Sequence, residues 1–200
     1  YSFSLGSTTQ DGIVPTTGMD RYNVKLTAES RLEEHWTTGF SGNFVNSKIQ
    51  KSTGANDGIV ATVYPAPAHY DLAGIPSHYA NNLYQQNTYR GTGGFDAAYW
   101  SVNNNEFTEK TNRFFGNAYV NFGTKFNTEN HKLDVKYQMG VDAYTTHYQD
   151  IWGYEHANGK GQIENSGWTT TTFNSLLTAT YAWKISEAWD FDALLGNEIV

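Results

Sequence analysis

Alternation of apolar and polar residues with period two recurs along this chain in segments of about ten residues, the length a tilted membrane-spanning strand needs. Tyr1, Phe3 and Leu5 alternate with Ser2, Ser4 and Gly6, and Tyr22, Val24, Leu26 and Ala28 stand against Arg21, Asn23, Lys25, Thr27 and Glu29. A third segment runs from Trp36 to about Ser47, with Phe40, Gly42 and Phe44 opposite Gly39, Ser41 and Asn43. The fourth, Arg113 to Lys125, places Phe114, Gly116, Ala118, Val120 and Phe122 on one face and Asn117, Asn121, Gly123 and Lys125 on the other. In the fifth, Leu133, Val135, Tyr137, Met139, Val141 and Ala143 oppose Asp134, Lys136, Gln138, Gly140 and Asp142, so one face carries no charge. The sixth sets Phe173, Leu177, Ala179, Tyr181 and Trp183 against Thr172, Asn174, Thr178, Thr180 and Lys184. A seventh opens with Trp189, Phe191, Ala193 and Leu195 and is cut off at Val200.

The expected connections alternate in length. Short turns fall near Ser30 to His35, Asn127 to Lys132 and Ile185 to Ala188; long connections span about Thr8 to Asp20, Ile49 to Asn112 and Thr145 to Thr170. In an up-and-down antiparallel sheet every second connection lies at the same end, so one end is clipped and the other elaborated, as in outer-membrane barrels. Trp36, Phe126, Trp183 and Trp189 flank the short turns. Rings there would form a girdle at headgroup depth, and Tyr144, Tyr148 and Trp152 are expected to mark the opposite interface.

Composition decides which face looks where. Aromatic residues make up 16% of the chain and charged residues also 16%, against about 25% charged in ordinary soluble domains. A soluble barrel would clothe its polar face in mixed Lys and Glu, whereas here that face is mainly Ser, Thr, Asn, Gln and Gly. A wet interior and an apolar exterior fit better. The expected fold is therefore all-β: a partial transmembrane antiparallel up-and-down β-barrel, with residues 1–200 a fragment of a single outer-membrane barrel domain. Seven strands alone would leave unpaired edges in lipid, at several kcal/mol per group, so neighbouring strands are expected. A net charge of -7 argues against nucleic acid as a partner. The absence of cysteine excludes disulfides and thiolate metal sites.

Residues 49–111 form an extracellular loop in this reading, with Pro65, Pro67 and Pro76 and several glycines but no convincing periodic element. A connection this long is expected to be functional or packed. Tyr64, Tyr70, Tyr79, Tyr84, Tyr89, Tyr99 and Trp100, together with Phe95, supply flat faces that could stack on sugar rings or pack against a partner; alternatively they form the loop's own small core.

The segment Ala98-Tyr-Trp-Ser-Val-Asn-Asn-Asn105, followed by Asn112-Arg-Phe-Phe-Gly-Asn117 opening a strand, resembles the way SusC-like TonB-linked outer-membrane proteins of Bacteroidota re-enter the barrel after a long loop. The opening, Tyr1 to Gly6, then Gln10-Asp-Gly-Ile-Val14 and Asp20-Arg-Tyr-Asn-Val-Lys-Leu26, is similar to that family's strand, loop and return strand. Ala97-Ala98 departs from the Asn-Pro often found there. The resemblance implies a plugged barrel that imports glycans or peptides. It also implies TonB as energy coupler through parts of the parent outside this chain, a SusD-like surface lipoprotein against the long loops, and outer-membrane lipid around the wall.

No cofactor, metal or catalytic residue is expected. His147, Asp150 and His156 match no zinc spacing. Asp134 and Asp142 share a face but lie about 26 Å apart along a strand, too far to act together, and Asp190 and Asp192 read as lumen-lining charges. The expected function is wall and outer loops of a nutrient importer of the bacterial outer membrane. The main rival is a soluble carbohydrate-binding β-protein; a small self-closing adhesive barrel and an outer-membrane enzyme rank below it.

Overall fold

The computed structural model describes residues 1–200 apart from 55–57, 91–93, 125–129 and 158. The chain is all-β in class. Its main sheet is built from β1 (Ser2–Asp11), β2 (Gly18–Arg31), β3 (Trp36–Lys51), β6 (Glu106–Thr124), β7 (His131–Trp152), β8 (Gln162–Lys184) and β9 (Asp190–Ile199). Between β3 and β6 lie α1 (Ile59–Val63), a small hairpin of β4 (His78–Tyr79) and β5 (Asn82–Gln86), and α2 (Ala98–Asn104). Spatial order in the seven-stranded sheet is β1-β2-β3-β6-β7-β8-β9, antiparallel throughout, so neighbours in space are successive long strands and the sheet stays open at β1 and β9.

Each of the seven alternating segments is a strand, and every pairing within the seven-stranded sheet keeps one register from end to end. β7 and β8 pair without a slip from His131↔Trp183 to Trp152↔Gln162, and β6 and β7 from Thr124↔Leu133 to Glu106↔Ile151. An unbroken register preserves parity, so faces assigned in the middle of a strand hold along its whole length. Phe3, Leu26, Gly42, Gly116, Val141 and Phe173 are successive partners across six strands; Ala28, Phe40, Ala118, Met139, Ser175 and Ile199 form another such row. All seven apolar stripes thus assemble on one face.

The strands are longer than the alternation suggested. Thr8 to Asp20 is mostly strand, leaving residues 12–17 as the connection, and Thr145 to Thr170 is β7 and β8 ladder except for residues 153–161. Thr169 to Thr172 keep the β-branched preference for extended backbone after the apolar stripe stops. Two of the three short turns hold as expected, with Leu32 N–H bonding Trp36 O at 2.9 Å and Ile185 N–H bonding Trp189 O at 2.9 Å, while residues 127–129 of the turn from Asn127 to Lys132 lie outside the described residues. Phe126 lies outside the described residues.

Apart from Gly39 on β3, burial lies at the other end. Trp100, Ala97, Ala98 and Phe107 are the buried apolar side chains, with Thr62, Asp96, Ser101, Thr108, Thr146 and His156 among the buried polar ones. The core of this chain is where residues 52–105 fold back onto the ends of β6 and β7.

Candidate functional site

Three features carry whatever the sheet does: an apolar face, a polar face and a packed cap at the long-connection end. On the apolar face the large side chains stand out from the sheet: Met139 is 55% exposed, Phe173 65% and Leu195 75%. Soluble monomers rarely expose contiguous apolar patches beyond a few hundred Å². Between the short turns and the row Asn46, Asn112, Thr145 and Thr169, no Asp, Glu, Lys or Arg stands on this face among the described residues. Polar tips inside the belt find partners: the Ser175 hydroxyl bonds the Tyr137 hydroxyl at 3.1 Å, and the Tyr181 hydroxyl sits 2.7 Å from His131 Nδ1.

The belt ends within one register step. Asn46 Nδ2 donates to Asn112 Oδ1 at 2.7 Å, and the Thr145 and Thr169 hydroxyls lie 3.0 Å apart. The next row on the same face is Asp20, Lys48, Lys110 and His147, all exposed. Towards the short turns the rings thicken: Trp36 and Phe122 lie 4.7 Å apart between centroids, and His131 stacks 5.5 Å from Trp183.

The polar face is laced across strands. Arg113 donates two bonds to Asp142, Nε to Oδ1 at 2.8 Å and an Nη to Oδ2 at 2.5 Å. The Tyr119 hydroxyl donates to Glu29 Oε2 at 2.6 Å by lying over Gly39, where a Cβ would come within 2.6 Å of the ring. Glycine there is what lets a side chain on β6 reach β2. Lys136 Nζ sits 4.6 Å from the Tyr119 ring centroid. Such cross-strand pairs, drawing on charges of both signs, suit a wet surface that touches polar solutes without a strong single-sign field.

The cap is organised by one buried carboxylate. Asp96 Oδ1 accepts from Gln86 Nε2 at 2.5 Å and from Ala157 N–H at 2.7 Å, while Oδ2 accepts from Asn105 Nδ2 at 3.1 Å. Its carbonyl accepts the Thr62 hydroxyl at 2.6 Å. Asp96 therefore ties α1, β5, the chain after α2 and the β7–β8 connection into one unit. Gln86 extends the tie, accepting Ala97 N–H at 2.6 Å and donating to Glu155 O at 3.2 Å. Glu155 itself has φ 64°, a left-handed conformation disfavoured for a residue with a Cβ. Beneath, the Phe107 and Trp152 rings meet edge-on at 5.1 Å.

The tyrosines expected to meet substrate or partner divide into two sets. Tyr64, Tyr79, Tyr84 and Tyr99 are exposed, with Tyr84 edge-on to Tyr154 at 5.3 Å. Tyr70 and Tyr89 pack together at 5.0 Å, and the Tyr89 hydroxyl donates to Thr62 O at 2.5 Å, so both belong to the loop's own core. Trp100 is a correction: it is fully buried at 0% exposure and has no surface to offer. Its place at the centre of α2, with Ala97 and Ala98 beside it, makes it the cap's anchor. Tyr144, Tyr148 and Trp152 are a second correction. They are even-numbered on β7, hence on the polar face, where Tyr148 packs at 5.3 Å from Trp168. They do not mark an interface on the apolar side.

Among the described residues, no group of three or more His, Asp or Glu side chains gathers to hold a metal. His147 lies on the apolar side of β7 and Asp150 on the polar side, which separates the pair. Asp150 faces Glu164 across the ladder, and burial together with that charge raises its pKa. Asp96, Gln86 and Tyr154 were not legible as functional residues, because a lone acid, amide or ring in an aperiodic loop carries no spacing signal. Compared with family models and with curated proteins, the sequence matches none.

Proposed function

We propose that these residues form wall and outer rim of a TonB-linked, SusC-like importer of the bacterial outer membrane, moving a bulky nutrient such as an oligosaccharide. The observation that carries this reading is the continuous, charge-free apolar belt laid across all seven strands by an unbroken register. On β7 it runs from Leu133 to Ala143, about 34 Å along the strand. At a tilt near 45° that is about 24 Å of height, matching the apolar band of outer-membrane barrels, ~25 Å. A helical span is not needed for this, and no helix is long and apolar enough to cross a membrane among the described residues.

In this reading the polar face lines the passage. Arg113–Asp142 and Tyr119–Glu29 hold its side chains in place, and the cap built on Asp96 narrows the outer mouth. The exposed Tyr64, Tyr79, Tyr84 and Tyr99 face the incoming solute or a SusD-like lipoprotein. The open edges at β1 and β9 are met by further strands of the same barrel, and TonB acts on parts of the parent outside this chain. The role is passage, with no covalent step.

Fractionation of cells carrying the natural protein tests the proposal. Recovery in the outer-membrane fraction after urea and carbonate washing is expected, with uptake of labelled oligosaccharide that collapses when the proton gradient is dissipated. Recovery in the soluble fraction would overturn it in favour of a soluble carbohydrate-binding protein.

A further inference from the structure

The apolar belt is not smooth. Gly42 on β3 and Gly116 on β6 are register partners one row short of its long-connection edge, and with no side chain at either position they leave a notch of about 610 Å³ among Phe40, Phe44, Phe114, Met139, Val141 and Phe173. Gly116 is fixed, because a Cβ there would strike the Ser41 carbonyl oxygen. Gly42 is not: a Cβ would meet only the Phe114 ring, at an ordinary 3.7 Å. Backbone geometry therefore does not require glycine at position 42.

A second, independent observation lies three register rows further along the same two strands. Lys48 and Lys110 are direct cross-strand partners, both exposed, with His147 next in the row and Asp20 on the other side of Lys48. Like charges directly opposite one another destabilise a sheet. Among the described residues neither ammonium is in a salt bridge. From the glycine row to the lysine row is about 20 Å along the strand, or roughly 14 Å of height at the tilt of a membrane strand. That is within the reach of a single acyl chain, which spans about half of a ~30 Å hydrocarbon core.

We propose that the outer surface of β3 and β6 is a binding site for one anionic, phosphate-bearing membrane lipid, its acyl chain lying in the Gly42–Gly116 notch and its phosphate bridging Lys48 and Lys110. The phosphate supplies a second counter-charge to a row in which two lysines stand beside the single carboxylate of Asp20, and the chain fills space that a bulk-disordered lipid packs poorly. Asp20 sets the lateral limit of the site, since it repels an anion displaced towards β2. This inference rests on the membrane reading above.

The experiment uses the natural protein reconstituted in vesicles, with chain-labelled phosphatidylglycerol and phosphatidylcholine as electron-spin-resonance probes, after flotation. Wild type is expected to float and to immobilise the phosphatidylglycerol probe with about tenfold preference over phosphatidylcholine. The Lys48→Gln, Lys110→Gln double variant should lose that preference, and Gly42→Val should reduce immobilisation of both probes while still floating. Lys25→Gln, which removes one charge from the polar face, should change neither. Equal immobilisation of the two probes by floating wild type would overturn the lipid site alone; failure of wild type to float would overturn the membrane reading and the site together.

Discussion

Below the Asn46–Asn112–Thr145–Thr169 row the sheet turns Phe, Leu and Met outward and buries none of them, whereas above it the same strands carry a packed core around Trp100, Asp96 and Phe107. One continuous ladder thus obeys two burial rules. In the upper region apolar groups are covered by the chain's own loop, and Asp96 and Thr62 find hydrogen-bond partners inside it, although the buried Trp100 Nε1 has none. In the lower region the apolar side chains have no covering within the chain, and their cover must come from outside. The change falls within one residue pair on each of four strands, which is the sharpness expected where one solvent gives way to another.

The largest expected effect is in the cap. Trp100→Ala empties the space that anchors α2 and should cost about 4 kcal/mol, read as accelerated hydrogen exchange and proteolysis in residues 52–105 while the β7–β8 ladder stays protected. Next comes the belt. If the proposed membrane wall is correct, Met139→Lys, on the apolar face, should destabilise the protein reconstituted in vesicles by about 3 kcal/mol, whereas Gln138→Lys, one residue away on the polar face, should leave the urea midpoint in place. Equal costs at the two positions would erase the distinction between the faces.

Asp96→Ala removes the acceptor for Gln86, Ala157 and Asn105 together. Leaving those half-buried donors unpaired should cost about 2 kcal/mol, visible as exchange in β5 and the β7–β8 connection and absent from the belt. The smallest effect has the opposite sign. Asp150 has its pKa raised by burial and then by Glu164, with Lys51 opposing. A carboxyl raised in this way favours folding below its unfolded pKa, and that contribution is lost as pH rises through the folded value. At neutral pH the Asp150–Glu164 pair is therefore a liability, and Asp150→Asn should stabilise the upper ladder by about 0.5 kcal/mol at pH 7 and lose its advantage in acid.

How much of this the sequence carried depends on whether a strand has two unlike faces. Leu133 to Ala143 could be read because one side is apolar throughout; Thr145 to Thr170 could not, because past the belt both faces are polar and the period vanishes although the ladder goes on. Parity was the better guide where local composition misled. Tyr144, Tyr148 and Trp152 look like interface aromatics, yet their even numbers on β7 already place them opposite Val141 and Ala143. The cap was the least legible part. Its centre, Asp96, acts through partners drawn from residues 62 to 157, and no local pattern encodes a meeting of that kind.

The central claim is that odd and even positions of β7 meet different solvents. The chain has no cysteine, so single substitutions at Val135, Met139 and Val141 and at Lys136, Gln138 and Asp142, each to cysteine, can be probed one at a time in protein reconstituted in vesicles. The account predicts that a water-soluble maleimide labels the even set and spares the odd set, while a lipid-partitioning reagent does the reverse; water-soluble labelling of both sets alike would contradict it.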